Sequence, residues 1–221
     1  MDIVLIVIEI LGTVAFAISG ALVAIEKKMD LFGVAILGLV TATGGGILRD
    51  LILGQTPPRT FTDPVYAIVA IGTSLIIFIP GVRRIHGRAK KVRDVMLLIV
   101  DSLGLGTFAM VGMEFAVAAG YGKNIFLLIF VGVVTSVGGG IMRDMMAGNR
   151  PYVFVKHFYA TAALLGCGAF VLVRLFAPEM AAMFVGAGVI FVLRILAAVF
   201  RWRLPSAHDL DENPQKNQGE S

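Results

Sequence analysis

One phrase occurs twice in this chain, each time inside an apolar run long enough to cross a bilayer. The first copy reads Thr41-Ala42-Thr43-Gly44-Gly45-Gly46-Ile47-Leu48-Arg49-Asp50, followed by Gly54 and Pro57. The second reads Thr135-Ser136-Val137-Gly138-Gly139-Gly140-Ile141-Met142-Arg143-Asp144, followed by Gly148 and Pro151. The offset is 94 residues throughout. A weaker echo at offset 92 sets Glu9, Gly12, Phe16, Ala17 and Gly20 against Asp101, Gly104, Phe108, Ala109 and Gly112. A chain that repeats itself in this way is built from two copies of one unit.

The medium follows from composition. The chain is 57% hydrophobic and only 15% charged, with a mean hydropathy of +0.88, an apolar excess beyond that of soluble domains. A spanning helix needs about 20 mostly apolar residues. Seven runs qualify or come close: 3–25, 31–53, 65–82, 95–119, 125–147, 158–176 and 180–200. The fold class expected is an all-α membrane protein of seven transmembrane helices, two inverted three-helix repeats plus a seventh helix. The divisions are 1–82 for the first repeat, 83–94 for a basic loop, 95–176 for the second repeat, 177–203 for the seventh helix and 204–221 for a polar, disordered tail.

The net charge of +4 does not point to nucleic acid, because the basic residues cluster between apolar runs. Thirteen Lys and Arg fall in connections on one side of the bilayer and three (Arg59, Lys123 and Arg174) on the other. The positive-inside rule then sets the N-terminus outside and the C-terminus in the cytoplasm. The start Met1-Asp2, with Glu9 inside the apolar run and no basic stretch before it, reads as a retained first helix rather than a signal peptide. Each unit holds an odd number of spans, so the second copy enters the membrane from the opposite side. Such inverted repeats are the mark of many conduits and transporters.

Three consecutive glycines are costly in a helix, about 1 kcal/mol each relative to alanine in water. A single triplet would point to close packing of helices. Two at symmetric positions, each followed by Arg-Asp, point to a break or kink near the midplane that lines a path. Gly44, Gly45, Gly46, Gly138, Gly139 and Gly140 are the candidate kink residues. Charges inside a membrane face protein or water, which makes Arg49, Asp50, Arg143, Asp144, Glu9 and Asp101 candidate path residues. Neighbours on one helix do not face each other, so Arg49 and Asp50 are each expected to need another partner. At about 1.5 Å per residue, Glu9 lies roughly 9 Å and Arg49 roughly 6 Å below the outer ends of their spans. Asp101 and Arg143 repeat the relation near the inner face. Two ion pairs are therefore expected, Glu9–Arg49 and Asp101–Arg143. Thr43, Ser102, Thr135 and Ser136 are polar lining candidates, with Ser19, against the commoner habit of bonding their own helix. Glu114 is expected at an interface, Arg194 snorkelling from the inner end of the last span, and Lys123 and His157 in solvent.

Catalysis has little to stand on here. Cys167 is the only cysteine, and His86, His157 and His208 are scattered without metal-ligand spacing. No HExxH, no nucleophile–base pair and no phosphate-cradling loop is present, and the last span carries no lysine for a Schiff base. No enzyme activity, catalytic residue, metal or cofactor is expected.

The paired GGGxxRD phrases and the three-plus-three-plus-one layout resemble the prokaryotic trimeric intracellular cation (TRIC) channel family over about residues 3–203. The resemblance implies a bacterial inner-membrane homotrimer with a pore in each protomer, between spans 2 and 5 kinked at their glycine triplets. It implies potassium conduction with some sodium permeation, membrane lipid as surroundings, and pore-associated or structural roles for Arg49, Asp50, Arg143 and Asp144. The basic phosphoinositide signature of animal members has no counterpart here. Some bacterial relatives are described as glycine transporters, so a secondary transporter of glycine or another small amino acid is the alternative.

Overall fold

A computed structural model describes residues 3–79, 81, 90–155, 158–200 and 202. The sequence of helices is α1 (Ile3–Glu26), α2 (Leu31–Ile52), the one-turn α3 (Arg59–Thr62), α4 (Val65–Phe78), α5 (Lys90–Ala116), α6 (Ile125–Met146), the one-turn α7 (Tyr152–Val155), α8 (Ala160–Val173) and α9 (Glu179–Val199). A single π-helical turn, Val117–Tyr121, extends α5. Lys90 to Asp94, read from sequence as part of a basic loop, form the first turns of α5 instead. The rest of that loop, with Arg83, Arg84, His86 and Arg88, lies outside the described residues, as do Lys156, His157 and the tail 204–221.

Among the described residues five helices are long and apolar enough to cross a membrane: α1, α2, α5 with its π turn, α6 and α9. The third and sixth expected spans are shorter than their apolar runs. Helices α4 and α8 have 14 residues each, roughly 21 Å at the α-helical rise against a hydrocarbon thickness of about 30 Å. Helix α4 stops where Ile79 turns extended, as a residue before proline must.

The two copies share their punctuation. Asp30 caps α2 by accepting from Gly33 N at 2.7 Å, and Asn124 caps α6 by accepting from Leu127 N at 3.1 Å. At the other ends, Gly54 (φ 72°) and Gly148 (φ 67°) take the left-handed conformation. Gln55 N then bonds Asp50 O, and Asn149 N bonds Asp144 O, both at 2.8 Å. This is the Schellman closure, which a glycine makes without a Cβ penalty.

Packing places the repeats about a two-fold axis. Helices α1, α2 and α4 pack on one another, as do α5, α6 and α8; α1 meets α5 and α2 meets α6 across the axis. The contacts are reciprocal. A Cβ on Gly45 would overlap the carbonyl oxygen of Thr135, and a Cβ on Gly139 would overlap that of Thr41. Phe16 fills the space over Gly104 while Phe108 lies 3.3 Å from the Cβ position of Gly12, and the two rings meet at 5.2 Å between centroids. Pairs that exchange partners in this way define a two-fold relation. With three spanning helices in each copy besides its one-turn helix, the axis lies in the membrane plane. Helix α9 stands outside this symmetry and packs on α5 and α8.

Of the expected break or kink, a break does not occur. Both α2 and α6 run α-helical without interruption through their glycine triplets. The triplets bring two helix backbones into contact, as small residues do between membrane helices. The rest of the surface fits lipid: Phe32 is 74% and Phe126 77% exposed, whereas Arg143 and Asp101 are fully buried.

The close approach makes a prediction about stability. Gly45→Ala and Gly139→Ala should each destabilise the protein by about 1–3 kcal/mol, the usual cost of overpacking. Gly72→Ala, where nothing lies within 4 Å of the new methyl group, should be neutral or slightly stabilising. Thermal unfolding in detergent micelles compares the three.

Candidate functional site

The buried charges gather into two centres, one on each side of the α2–α6 contact. In the outer centre, named for the side given by the charge distribution of the loops, Glu9 on α1 lies 3.8 Å from Arg49 Nη1 and 3.8 Å from Arg59 Nη1. Tyr66 donates its hydroxyl to Glu9 at 2.6 Å. The Arg49 guanidinium stacks over Phe115 at 3.7 Å, a ring that Arg59 approaches at 5.2 Å. In the inner centre, Arg143 Nη1 lies 2.5 Å from Asp101 Oδ1 and also donates to the Ser19 hydroxyl. Arg194 Nη2 lies 3.8 Å from Asp101 Oδ2, and its guanidinium sits 4.7 Å over the Tyr159 ring. Both ion pairs inferred from depth, Glu9–Arg49 and Asp101–Arg143, are thus present.

The adjacent residues are partners too, contrary to the sequence expectation. Arg49 Nε donates to Asp50 Oδ1 at 2.8 Å, and Arg143 Nε donates to Asp144 Oδ1 at 2.8 Å. The rule against neighbours on a helix concerns the directions of their Cβ atoms; an arginine is long enough to fold back around the helix. Each aspartate uses its second oxygen to hold the next element. Asp50 Oδ2 accepts from Arg59 N at 2.8 Å, at the start of α3, and Asp144 Oδ2 accepts from Tyr152 N at 2.9 Å, at the start of α7. The Arg-Asp dipeptide therefore neutralises a buried guanidinium and sets the chain's exit from the helix.

Other expectations fare unevenly. Thr43, Thr135 and Ser136 bond the carbonyls of Leu39, Val131 and Val133 on their own helices at 2.8, 2.6 and 2.9 Å. Ser102 is buried, and its hydroxyl has no hydrogen-bond partner among the described residues. Arg194 does not snorkel: it is 4% exposed and turned inward, because Asp101 and the Tyr159 face lie within its reach. Glu114 lines a cavity of about 540 Å³ with Leu5, Ile8, Phe115, Met180 and Met183. Lys123 is exposed. Sequence reasoning missed Tyr66 and Tyr159 and counted Arg59 only as a loop charge. A tyrosine near the start of the third helix of each copy was the available signal, hidden because its offset, 93, differs from that of the glycine phrase.

The centres differ in their access to water. The outer one encloses about 30 Å³ between Glu9, Thr43, Gly46, Arg49, Arg59 and Tyr66, room for about two waters, and the Arg59 side chain is 28% exposed. In the inner centre Arg143 and Asp101 are no more than 1% exposed. Among the described residues no group of three His, Cys, Asp or Glu could hold a metal ion.

Known proteins share this fold. A crystal structure of the TRIC trimeric intracellular cation channel orthologue from Rhodobacter sphaeroides superposes with a TM-score of 0.82 at 37% identity, over 91% of this chain and 100% of that one. The chain belongs to the TRIC family. A second TRIC cation channel, from a study of the basis of conductance, superposes with a TM-score of 0.78 at 39% identity, over 90% of this chain and 95% of that one. The family profile that matches residues 6–80 and 98–175 carries the description glycine transporter. It skips the basic loop between the repeats and ends before α9. The UPF0126 inner membrane protein YadS of Escherichia coli K12 is 35% identical over 208 residues, 93% of this chain and 97% of its own length. The chain is accordingly a multi-pass bacterial inner-membrane protein with the TRIC architecture, and its solved relatives are channels rather than enzymes.

Burial ranks the cost of losing a carboxylate. Asp101→Asn leaves Arg143 and Arg194 with Asp144 alone and should cost about 3–5 kcal/mol, as for a broken buried pair. Glu9→Gln leaves a hydrated centre whose Arg59 can turn to solvent and should cost no more than about 1–2 kcal/mol. Thermal unfolding of both variants in one detergent gives the order.

Proposed function

We propose that the protein is a monovalent cation channel, permeable to potassium, that works as a homotrimer with one path in each protomer along the seam of α2 and α6. The observation that carries this reading is the pair of charge centres at opposite ends of that seam. Each contains two carboxylates and two guanidiniums: Glu9, Asp50, Arg49 and Arg59 outside, and Asp101, Asp144, Arg143 and Arg194 inside. Charge of this density in a bilayer marks a route for ions or polar solutes. The likeness to TRIC cation channels selects the cation. In this conformation the seam is closed where Gly45 and Gly139 meet the opposing backbone. Conduction requires α2 and α6 to part there, which also lifts Met142 off Gly44 and Leu48 off Gly138. Thr43 faces the outer cavity and is the first of the lining candidates; Ser102, Thr135 and Ser136 join the path only on opening. The distribution of Lys and Arg supports an N-terminus outside and a C-terminus in the cytoplasm.

A second reading has its own support. The matching family profile is described as glycine transporter, and each centre offers a guanidinium for a carboxylate and a carboxylate for an ammonium. A zwitterion fits that pairing.

Reconstitution in a planar bilayer under a potassium gradient tests the channel. Discrete current steps that reverse near the potassium equilibrium potential are expected, with a unitary conductance lowered several-fold in Glu9→Gln. A silent bilayer together with saturable uptake of labelled glycine into proteoliposomes would replace the channel by the transporter.

A further inference from the structure

Arg194 is the one cation of the inner centre that neither repeat supplies, since it comes from α9. Its hold on the centre is of a particular kind. Arg143 grips Asp101 Oδ1 at 2.5 Å and Asp144 Oδ1 at 2.8 Å, whereas Arg194 stands 3.8 Å from Asp101 Oδ2. Neither Asp101 Oδ2 nor Arg194 Nε meets the geometry of a hydrogen bond to any described residue, and the same is true of Arg143 Nη2. Asp101, Tyr159, Arg143 and Arg194 are all at least nine-tenths buried. Arg194 is thus held by charge and by the face of an aromatic ring, both of which a small cation can exploit or give up without breaking a hydrogen bond. With Arg194 the centre is neutral. Without it, Asp101 and Asp144 exceed Arg143 by one negative charge, which is the charge that one monovalent cation carries.

We infer that Asp101 Oδ2 is a binding position for a monovalent cation, and that Arg194 fills it as a tethered cation, so that α9 closes the inner end of the path. This rests on the cation-conduction reading of the same site and adds to it a position and the element that controls it. The outer centre has a looser equivalent in Arg59, carried by the one-turn α3 and 28% exposed. The inner end is therefore the closed one in this conformation.

The test uses the full chain, wild type and Arg194→Gln, purified in detergent. Hydrogen exchange is followed in peptides spanning 97–105 and 135–146, in potassium chloride and in N-methyl-D-glucamine chloride at equal ionic strength. Potassium should slow exchange in these segments in the Gln variant and leave the wild type unchanged. In bilayers the Gln variant should raise open probability at least about tenfold, within the usual range of coupling between two sites, with the reversal potential unmoved. Arg194→Lys, which keeps the charge, should restore closure. If Arg194→Gln does not assemble, Arg194→Met, similar in volume and uncharged, takes its place in both measurements. Absence of potassium protection in the uncharged variant overturns the site, whatever the currents do. Potassium protection in a protein that passes no current upholds the site and removes the channel reading.

Discussion

A guanidinium buried among membrane helices must be neutralised on the spot, and the architecture of this protein follows from doing so twice. Arg49 and Arg143 each take a carboxylate from their own helix, through the next residue, and a second from the first helix of the same repeat. The aspartate of each Arg-Asp dipeptide then spends its remaining oxygen on the backbone N–H that opens the following helix. Charge, helix exit and the start of the next element are tied together at one point. Removing Asp101 would leave an uncompensated charge in a centre no more than 1% exposed, whereas the outer centre has room for water beside Glu9.

The glycine triplets complete this arrangement from the other side. Two charge centres near opposite faces require α2 and α6 to cross between them, and the crossing is tight enough that a single methyl group would strike a carbonyl of the opposing helix. The two-fold relation makes each contact serve twice. Gly45 meets Thr135 as Gly139 meets Thr41, and Phe16 meets Gly104 as Phe108 meets Gly12. Beside the backbone contacts, Met142 packs over Gly44 as Leu48 packs over Gly138, so the side chains at the seam are exchanged in the same way.

Symmetry is kept in the scaffold and broken at the ends. Each centre takes its first arginine from the repeated phrase and its second from a residue without a counterpart in the other copy: Arg59 on α3, whose equivalent α7 has no arginine, and Arg194 on α9. An exposed one-turn helix and a 21-residue helix are very different carriers, and the burial of the two centres differs accordingly. The two charge centres are therefore not equivalent, although the halves that make them are related by symmetry.

The sequence by itself determined the membrane setting, the two-copy plan and the inverted relation of the copies. These depend on apolar length, on an exact repeat and on an odd number of spans, all of which are one-dimensional quantities. It also gave the Glu9–Arg49 and Asp101–Arg143 pairs, because helix rise converts residue number into depth and residues at equal depth on adjoining helices can meet. It offered a break or kink at the triplets, where no break occurs, and misread the Arg-Asp neighbours as strangers. The cost of glycine is set by what packs against it, and the reach of arginine exceeds the spacing of Cβ atoms. Arg59, Tyr66, Tyr159 and Arg194 joined the centres only through tertiary structure. They come from a one-turn helix, from shorter helices and from a helix outside the repeat, and which face each presents is fixed by packing rather than by position along the chain.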